Sequence, residues 1–311
     1  MTLPDFIIGG APKCGTTSLH QVLDQHTDVW MAKNELYFYD ADDPVAHADF
    51  LGEDGNDLAW RTPQDPALQE WYQSRFKDAP DGCLIGEDTT TYLMSDVAPF
   101  RISAANPNVK ILFMLRDPVQ RAFSQYWHLL RSGRTCVSFE KALSSEPSII
   151  SGSTYAPRLR QFQHALGKDQ IHVVVFEEFR TNQQAVLDGV TTFLGAPNLP
   201  LAQVDTWHNR TMYPARAETL LLLNRIGRIL VRYRYARHFG RDHGILSRVA
   251  HKAYRHWFRL VEKHVLTQPR PPSEMRDKTR TYLNRHLSDR NAGLSVLLGK
   301  DLSVHWPGFS Q

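Results

Sequence analysis

Residues 6–18 read "FIIGGAPKCGTTS", a short apolar run, Phe6–Ile8, that leads straight into a glycine-rich turn. From Gly10 the spacing G-x-x-x-x-G reaches Gly15, and Thr17 stands where a phosphate-cradling loop places Ser or Thr. Strand, turn and helix start in that order make an anion site. The backbone N–H groups of Gly15, Thr16, Thr17 and Ser18 are expected to point outward from the helix end, where the dipole adds partial positive charge. The hydroxyls of Thr16, Thr17 and Ser18 add further donors. In nucleoside-triphosphate enzymes a lysine follows the second glycine and reaches the β- and γ-phosphates. Here Thr16 holds that place, and the lysine of the loop, Lys13, comes before Gly15. Nothing then grips a γ-phosphate. A single 5′-phosphate bearing a different transferable group fits better, with Lys13 beside its bridging oxygen. A P-loop kinase or NTPase is the alternative reading.

Working outward, three more segments read as buried strands, short and rich in β-branched or aromatic residues: Cys83–Gly86, Val109–Leu115 and Ile171–Phe176. Near-continuous apolar runs of this kind suit a parallel sheet covered on both faces. Between them lie helical patterns. One runs from Pro118 to about Leu130, with Asp117 as N-cap and Pro118 at the first helical position. Others cover about Tyr155–Leu166 and Gln183–Leu194, the last closed by Gly195. Strand and helix alternate, so the expected fold is α/β, a P-loop-like parallel sheet flanked by helices. From about Trp207 the strands are expected to stop. "HGILSRVAHKAYRHWFRLVEKHV" (243–265) reads as an amphipathic helix with Leu246, Val249, Ala253, Trp257, Leu260 and Val261 on one face. After the proline-rich "TQPRPPSEM" (267–275), a last helix is expected from about Ser273 to Leu287. The whole, 1–311, reads as a single domain, with its core at about 1–200 and a basic helical section at about 207–290.

Composition narrows the classes. The 311 residues are 42% hydrophobic and 22% charged, with no repeat or low-complexity tract, as in an ordinary globular protein. Net charge is only +3, yet roughly half of the Lys and Arg fall between Arg210 and Arg290, where acids are sparse. Such an excess suits an anionic acceptor, a membrane surface or nucleic acid. No helix-turn-helix or aromatic platform accompanies it, so no nucleic-acid partner is expected. Three scattered cysteines, Cys14, Cys83 and Cys136, make neither a disulfide framework nor a zinc site. The first strand begins almost at once, so no signal peptide or membrane anchor is expected, and a cytoplasmic location is.

These residues carry a family resemblance. "FIIGGAPKCGTTSLHQVLDQHTDV" (6–29) resembles the 5′-phosphosulfate loop of sulfotransferases that use 3′-phosphoadenosine 5′-phosphosulfate (PAPS). "VKILFMLRDPVQRAFSQYWH" (109–128) is similar to their second signature, which holds the nucleotide 3′-phosphate. "NELYFYD", "GEDTTTYL", "YAPRLRQF" and the terminal "LLGKDLSVHW" follow the order seen in heparan sulfate 3-O- and N-sulfotransferases and their bacterial relatives. The chain also departs from them. Where the heparan enzymes often have Glu-Lys-Thr-Pro, it has Glu87-Asp88-Thr89-Thr90, which argues against a highly sulfated polysaccharide as acceptor. The Gly-rich C-terminal phosphate loop of the cytosolic phenol sulfotransferases is not visible.

The resemblance implies PAPS as donor, 3′-phosphoadenosine 5′-phosphate (PAP) as product, and no metal. It places Lys13, Cys14, Gly15, Thr16, Thr17 and Ser18 at the 5′ end of the nucleotide, and Arg116 and Ser124 at its 3′-phosphate. Tyr155 is either a cleft residue or a core tyrosine, and Arg121 either assists Arg116 or is a solvated helix arginine. Sulfuryl transfer asks chiefly for positioning and for stabilisation of charge. Lys13 is the expected cation at the leaving oxygen, and Glu35 the expected base, its proton affinity raised by neighbouring anions. His20 is a rival base that falls on the first helix. Tyr37, Phe38, Trp127 and His128 are candidates to line the acceptor cleft. The acceptor is expected to bear a hydroxyl, on a carbohydrate, a glycolipid or a small natural product; a lipid-linked one would bring the protein to a membrane surface. A nucleotide-binding protein without catalysis is the remaining alternative. Specificity should reside in the loop Asp40–Asp65 and in the region Arg210–His264.

Overall fold

The computed structural model describes residues 3–47, 62–200, 212–231 and 245–309. Trp207, Arg210 and much of the loop expected to govern specificity lie outside these residues.

The first glycine-rich turn sits in the middle of a five-stranded sheet. Strands β1 (Phe6–Gly10), β2 (Val29–Met31), β3 (Leu84–Asp88), β4 (Lys110–Leu115) and β5 (Ile171–Val175) take the order β2-β3-β1-β4-β5, and every pairing is parallel. All five residues of β1 are buried, as are Ile111–Leu115 of β4, which is why both read as unbroken apolar runs. From β1 the chain moves to one edge for β2, returns through β3, then crosses to the other side for β4. Loops leaving β1 and β4 therefore diverge, and a crevice opens at the carboxyl ends of these strands. Strand β2 is an addition to the four expected; its three residues are too few to show a period.

Helices cover both faces. They are α1 (Thr16–Leu23), α2 (Pro66–Ser74), α3 (Ala98–Ala105), α4 (Pro118–Arg131), α5 (Phe139–Ser145), α6 (Pro147–Ser151), α7 (Ala156–Leu166), α8 (Phe176–Thr181) and α9 (Gln183–Leu194), with a 3₁₀ turn at Thr90–Met94. The cap at α4 forms as expected: Asp117 Oδ1 accepts from the amides of Val119 at 2.8 Å and Gln120 at 2.9 Å, and Pro118 opens the helix. Gly195, at φ 81°, closes α9. In the core Phe113 of β4 meets Phe162 of α7 edge to face, with ring centres 4.8 Å apart.

The C-terminal section holds α10 (Ala217–Val231), α11 (Ile245–His264), α12 (Asp277–Arg290) and the short α13 (Leu294–Leu298). A second apolar cluster forms where α10, α11 and α12 meet α4, around Tyr126, Trp127, Leu130, Leu220, Val261 and Leu283. Two sequence expectations change here. Strands do not stop, because Tyr213–Pro214 (β6) and Leu266–Gln268 (β7) form a small antiparallel pair. And α11 is rotated from the face read in the sequence. Val249, Ala253 and Leu260 are exposed, while Tyr254 and Val261 are buried and Trp257 and Phe258 half-buried. Trp257 keeps its expected inward place and lies against Gly227 of α10, where a Cβ would come within 2.9 Å of the indole.

Candidate active site

The turn after β1 is tied down before it can hold anything. Ala11 donates its amide to the Met114 carbonyl at 2.9 Å, which fastens the loop to β4. Arg121 of α4 is wholly buried beneath it. Its Nε donates to the Pro12 carbonyl at 2.9 Å and its Nη1 to the Ser148 carbonyl at 2.7 Å. Arg121 is thus a strut joining the loop to α6, and not the solvated helix residue that was one of its two readings. Gly15 takes φ 96°, a left-handed conformation, and a Cβ there would stand 2.7 Å from the Phe176 ring. Both demands require glycine.

α1 starts at Thr16 with Gly15 as N-cap and no side-chain cap. Ser18 already donates its amide to the Gly15 carbonyl at 3.0 Å, so the expected set of open donors shrinks to Gly15, Thr16 and Thr17. Lys13, at φ 68°, is the non-glycine residue in the left-handed region within this loop. Its Nζ lies 3.4 Å from Nδ1 of His128 on α4. Burial, then the charge of Arg131, lowers the Lys13 pKa to about 8, against an upward pull from Glu35.

Glu35 projects from the loop after β2 and is held from two sides. Its Oε1 accepts the Thr90 amide at 2.9 Å and the Thr90 hydroxyl at 2.5 Å, and its Oε2 accepts the hydroxyl of Tyr37. The loop in turn rests on β3. The Leu36 amide donates to Thr89 Oγ1 at 3.0 Å, and that hydroxyl donates to Glu87 at 2.8 Å. Glu87 is wholly buried and also accepts Tyr72 at 2.5 Å and Tyr92 at 2.7 Å; burial pushes its pKa up to about 7. Next to it on β3, Asp88 lies 3.3 Å from Nδ1 of His20. Burial raises Asp88 to about 6. Burial pulls the His20 pKa down, but Asp88 outweighs it and the net shift is upward.

These groups surround a cavity of about 1000 Å³. Lys13, Thr16 and Thr17 line it on the loop side, Glu35, Tyr37, Asp88 and Thr90 across from them, and His128, Arg134, His251 and Tyr254 on the helical side. A second cavity, of about 380 Å³, lies past the loop. Arg116 at the end of β4 lines it, with Phe176, Arg180, Arg280, Asn284 and His305. The Arg116 guanidinium stands 5.1 Å from the centre of the Phe176 ring, the same ring that abuts Gly15. The glycine-rich loop is therefore a saddle between the two cavities.

The structure brings Lys13, Thr16, Thr17 and Glu35 together and sets Arg116 on the far side of the saddle. It places other candidates elsewhere. Ser124 is half-buried on α4 and lines neither cavity. Cys14 and Tyr155 are buried under the loop, where Tyr155 donates to the Arg116 carbonyl at 2.9 Å and its Oη lies 3.8 Å from the Cys14 sulfur. Tyr155 is thus a core tyrosine that joins the two signature segments from below. Phe38 and Trp127 are buried in aromatic clusters away from the cavity, while Tyr37 and His128 line it. Arg134 and, lining the smaller cavity, Arg180, Arg280 and His305 were not foreseen, and His251 and Tyr254 were foreseen only as part of the region Arg210–His264. Apart from Arg134, which follows soon after the second signature, they come from helices and turns remote in sequence from both signatures, and no local spacing marks any of them. Among the described residues no group of His, Cys, Asp or Glu is placed to hold a metal ion.

Comparison with known proteins matches this architecture. A family model described as the sulfotransferase family matches residues 4–200. Heparan sulfate glucosamine 3-O-sulfotransferase 5 of Mus musculus is 26% identical over 222 residues, 67% of this chain and 58% of that protein. The bifunctional heparan sulfate N-deacetylase/N-sulfotransferase 1 of Caenorhabditis elegans is 25% identical over 217 residues, 64% of this chain and 23% of that protein. The chain thus spans little more than half of the first relative and about a quarter of the second. Among solved structures, a sulfotransferase from Alicyclobacillus acidocaldarius superposes with a TM-score of 0.63 at 24% identity, covering 98% of this chain and 99% of its own. That likeness extends the shared fold across the C-terminal helices.

Proposed function

Because the chain belongs to the sulfotransferase family, we propose that it moves a sulfuryl group from PAPS to an acceptor hydroxyl, with Glu35 as base and Lys13 at the leaving oxygen. The observation that carries this reading is that Lys13 and Glu35 face one cavity at the open end of α1.

The donor fits the residues present. The amides and hydroxyls of Thr16 and Thr17 suit a 5′-phosphate, and the Arg116 cavity past the saddle, with Arg180 and Arg280, suits a 3′-phosphate. When bound, PAPS supplies the sulfur as electrophile. The acceptor oxygen forms the new O–S bond as the bond from sulfur to the bridging phosphate oxygen breaks. Lys13, as an ammonium, offsets charge growing on that oxygen. Glu35 takes the acceptor proton on its carboxylate, and its bonds from Thr90 and Tyr37 fix the orientation of its lone pairs. His20 is less suited to this role, because the upward pull of Asp88 leaves less of its imidazole neutral near pH 7.

The named relatives act on heparan sulfate, and a carbohydrate hydroxyl is the first acceptor class we propose, with a glycolipid or small natural product beside it. The cavity wall carries both signs, Asp24 and Asp88 with Lys33 and Arg134, so polar hydroxyl-bearing acceptors of mixed or low charge suit it. The test is release of PAP from PAPS across a panel of sugars, glycolipids and phenols. Transfer that Glu35→Gln abolishes while PAP affinity holds supports the proposal. Silence across the panel, with intact PAP binding, favours a nucleotide-binding protein without catalysis.

A further inference from the structure

The helices that close the acceptor cavity carry an outer surface that the transfer reaction does not use. Over residues 217–264 the sequence has eleven Lys and Arg against three acids, while the whole chain has 36 against 33. The rest of the protein is net acidic, and its positive charge is concentrated in this one stretch. α11 divides lengthwise. Its inner face gives Tyr254 and Val261 to the core and His251 to the cavity. Its outer face bears two adjoining stripes, whose members recur at helical spacings of three, four and eleven residues. One is apolar: Ile245, Val249 and Leu260 are 75%, 61% and 45% exposed. The other is basic and exposed throughout its length: Arg248, Lys252, Arg255, Arg259 and Lys263. The outer side of α10 likewise leaves Leu222 and Ile226 in solvent, with Arg225 beside them.

We infer that the outer face of α11 docks on an anionic lipid bilayer. The two stripes together select this partner. A soluble polyanion would engage the basic stripe and leave the large apolar side chains in water. A second copy of this chain, paired face to face, would bring two strongly basic surfaces together. A bilayer with anionic headgroups satisfies both, since Lys and Arg meet the headgroup charge while Ile, Val and Leu enter the acyl boundary. Among the described residues no helix is long and apolar enough to cross a membrane; the side-by-side apolar and basic stripes of α11 suit a helix lying in the plane of the interface. Because α11 also lends His251 and Tyr254 to the large cavity, docking brings the cavity within about one helix diameter, ~10 Å, of the headgroups. A hydroxyl on a membrane-anchored acceptor would then lie within reach. The docking itself does not depend on the sulfotransferase reading.

The test is flotation of the full-length protein with vesicles of phosphatidylcholine containing phosphatidylglycerol, and with phosphatidylcholine alone. The protein floats with the anionic vesicles and not with the neutral ones. Lys252→Glu with Arg259→Glu, and separately Val249→Asp with Leu260→Asp, each lower the floated fraction on the order of tenfold. Unchanged PAP binding in both pairs shows that they fold, and keeps a failure here distinct from a failure of the proposed activity. A wild-type protein that stays with the soluble fraction overturns the inference. So does loss in the charge-reversed pair alone, which marks a polyanion site, or a dimer that the aspartate pair dissociates, which marks a self-interface.

Discussion

In the proposed reaction Lys13 and Glu35 carry the chemistry, and the neighbours of each determine how far. With its pKa lowered to about 8 by burial, free Lys13 is mostly an ammonium at pH 7 and mostly an amine above pH 9. Anion binding favours the ammonium, so binding above pH 8 must take up a proton. PAP affinity is therefore predicted to fall as pH rises through about 8, approaching tenfold per pH unit, in titrations run in buffers of different ionisation enthalpy. In Lys13→Ala that dependence disappears and transfer drops by about 10²–10³. At Glu35 the substitution to Gln keeps the shape and loses the base, so nucleotide affinity should hold while turnover falls. Single-turnover transfer beside PAP titration separates the two. Both residues drew attention in the sequence, Lys13 from its displaced place in the loop and Glu35 from a resemblance, and both line the same cavity. Their supports were not. Nothing about "GEDTTTYL" as a string says that Glu87 is buried under three hydroxyls, because that depends on Tyr72 arriving from α2.

At the level of elements, the site depends on two loops being held to their strands. Glu87→Ala would leave the hydroxyls of Tyr72, Tyr92 and Thr89 buried without their common acceptor. With each orphaned group costing about 1–3 kcal/mol, a loss of about 3–5 kcal/mol is expected in urea unfolding, partly relieved by water entry. Glu87→Gln should lose less, since the amide oxygen still accepts. The pH sign follows from the raised pKa of Glu87, about 7 against an unfolded value near 4.5. Its contribution is fully present below pH 4.5 and is lost as pH rises to 7. In the other loop, Gly15→Ala puts a Cβ 2.7 Å from Phe176 at φ 96°, and should destabilise by more than about 1 kcal/mol while weakening PAP binding. The long apolar strands and the capped α4 could be read from pattern because burial on both faces and a cap each leave a local mark. The rotation of α11 could not. Val249, Ala253 and Leu260 keep helical spacing as well as Tyr254, Trp257 and Val261 do, and only the partner surface of α4 and α10 chooses between them.

Across the whole molecule, parallel order β2-β3-β1-β4-β5 puts β1 at the point where the chain changes direction, with the glycine-rich loop at its open end. The parallel sheet and its flanking helices were legible from apolar runs alternating with helical patterns, but the strand order was not, because no local pattern records which strands become neighbours. What lay out of reach was assembly at a distance. The large cavity is closed by His251 and Tyr254, and the small one by Arg280 and His305, all from the C-terminal third. A helix from that third thus contributes to each cavity, and the saddle between them suits a donor with phosphates at both ends of its nucleoside. The most direct test is an isothermal titration of PAP, and of ATP with Mg²⁺, into the wild-type protein and Arg116→Ala. The account predicts that PAP binds at least tenfold more tightly than ATP with Mg²⁺, and that losing Arg116 weakens PAP alone by about tenfold or more. Tight binding of ATP with Mg²⁺ and none of PAP would contradict it.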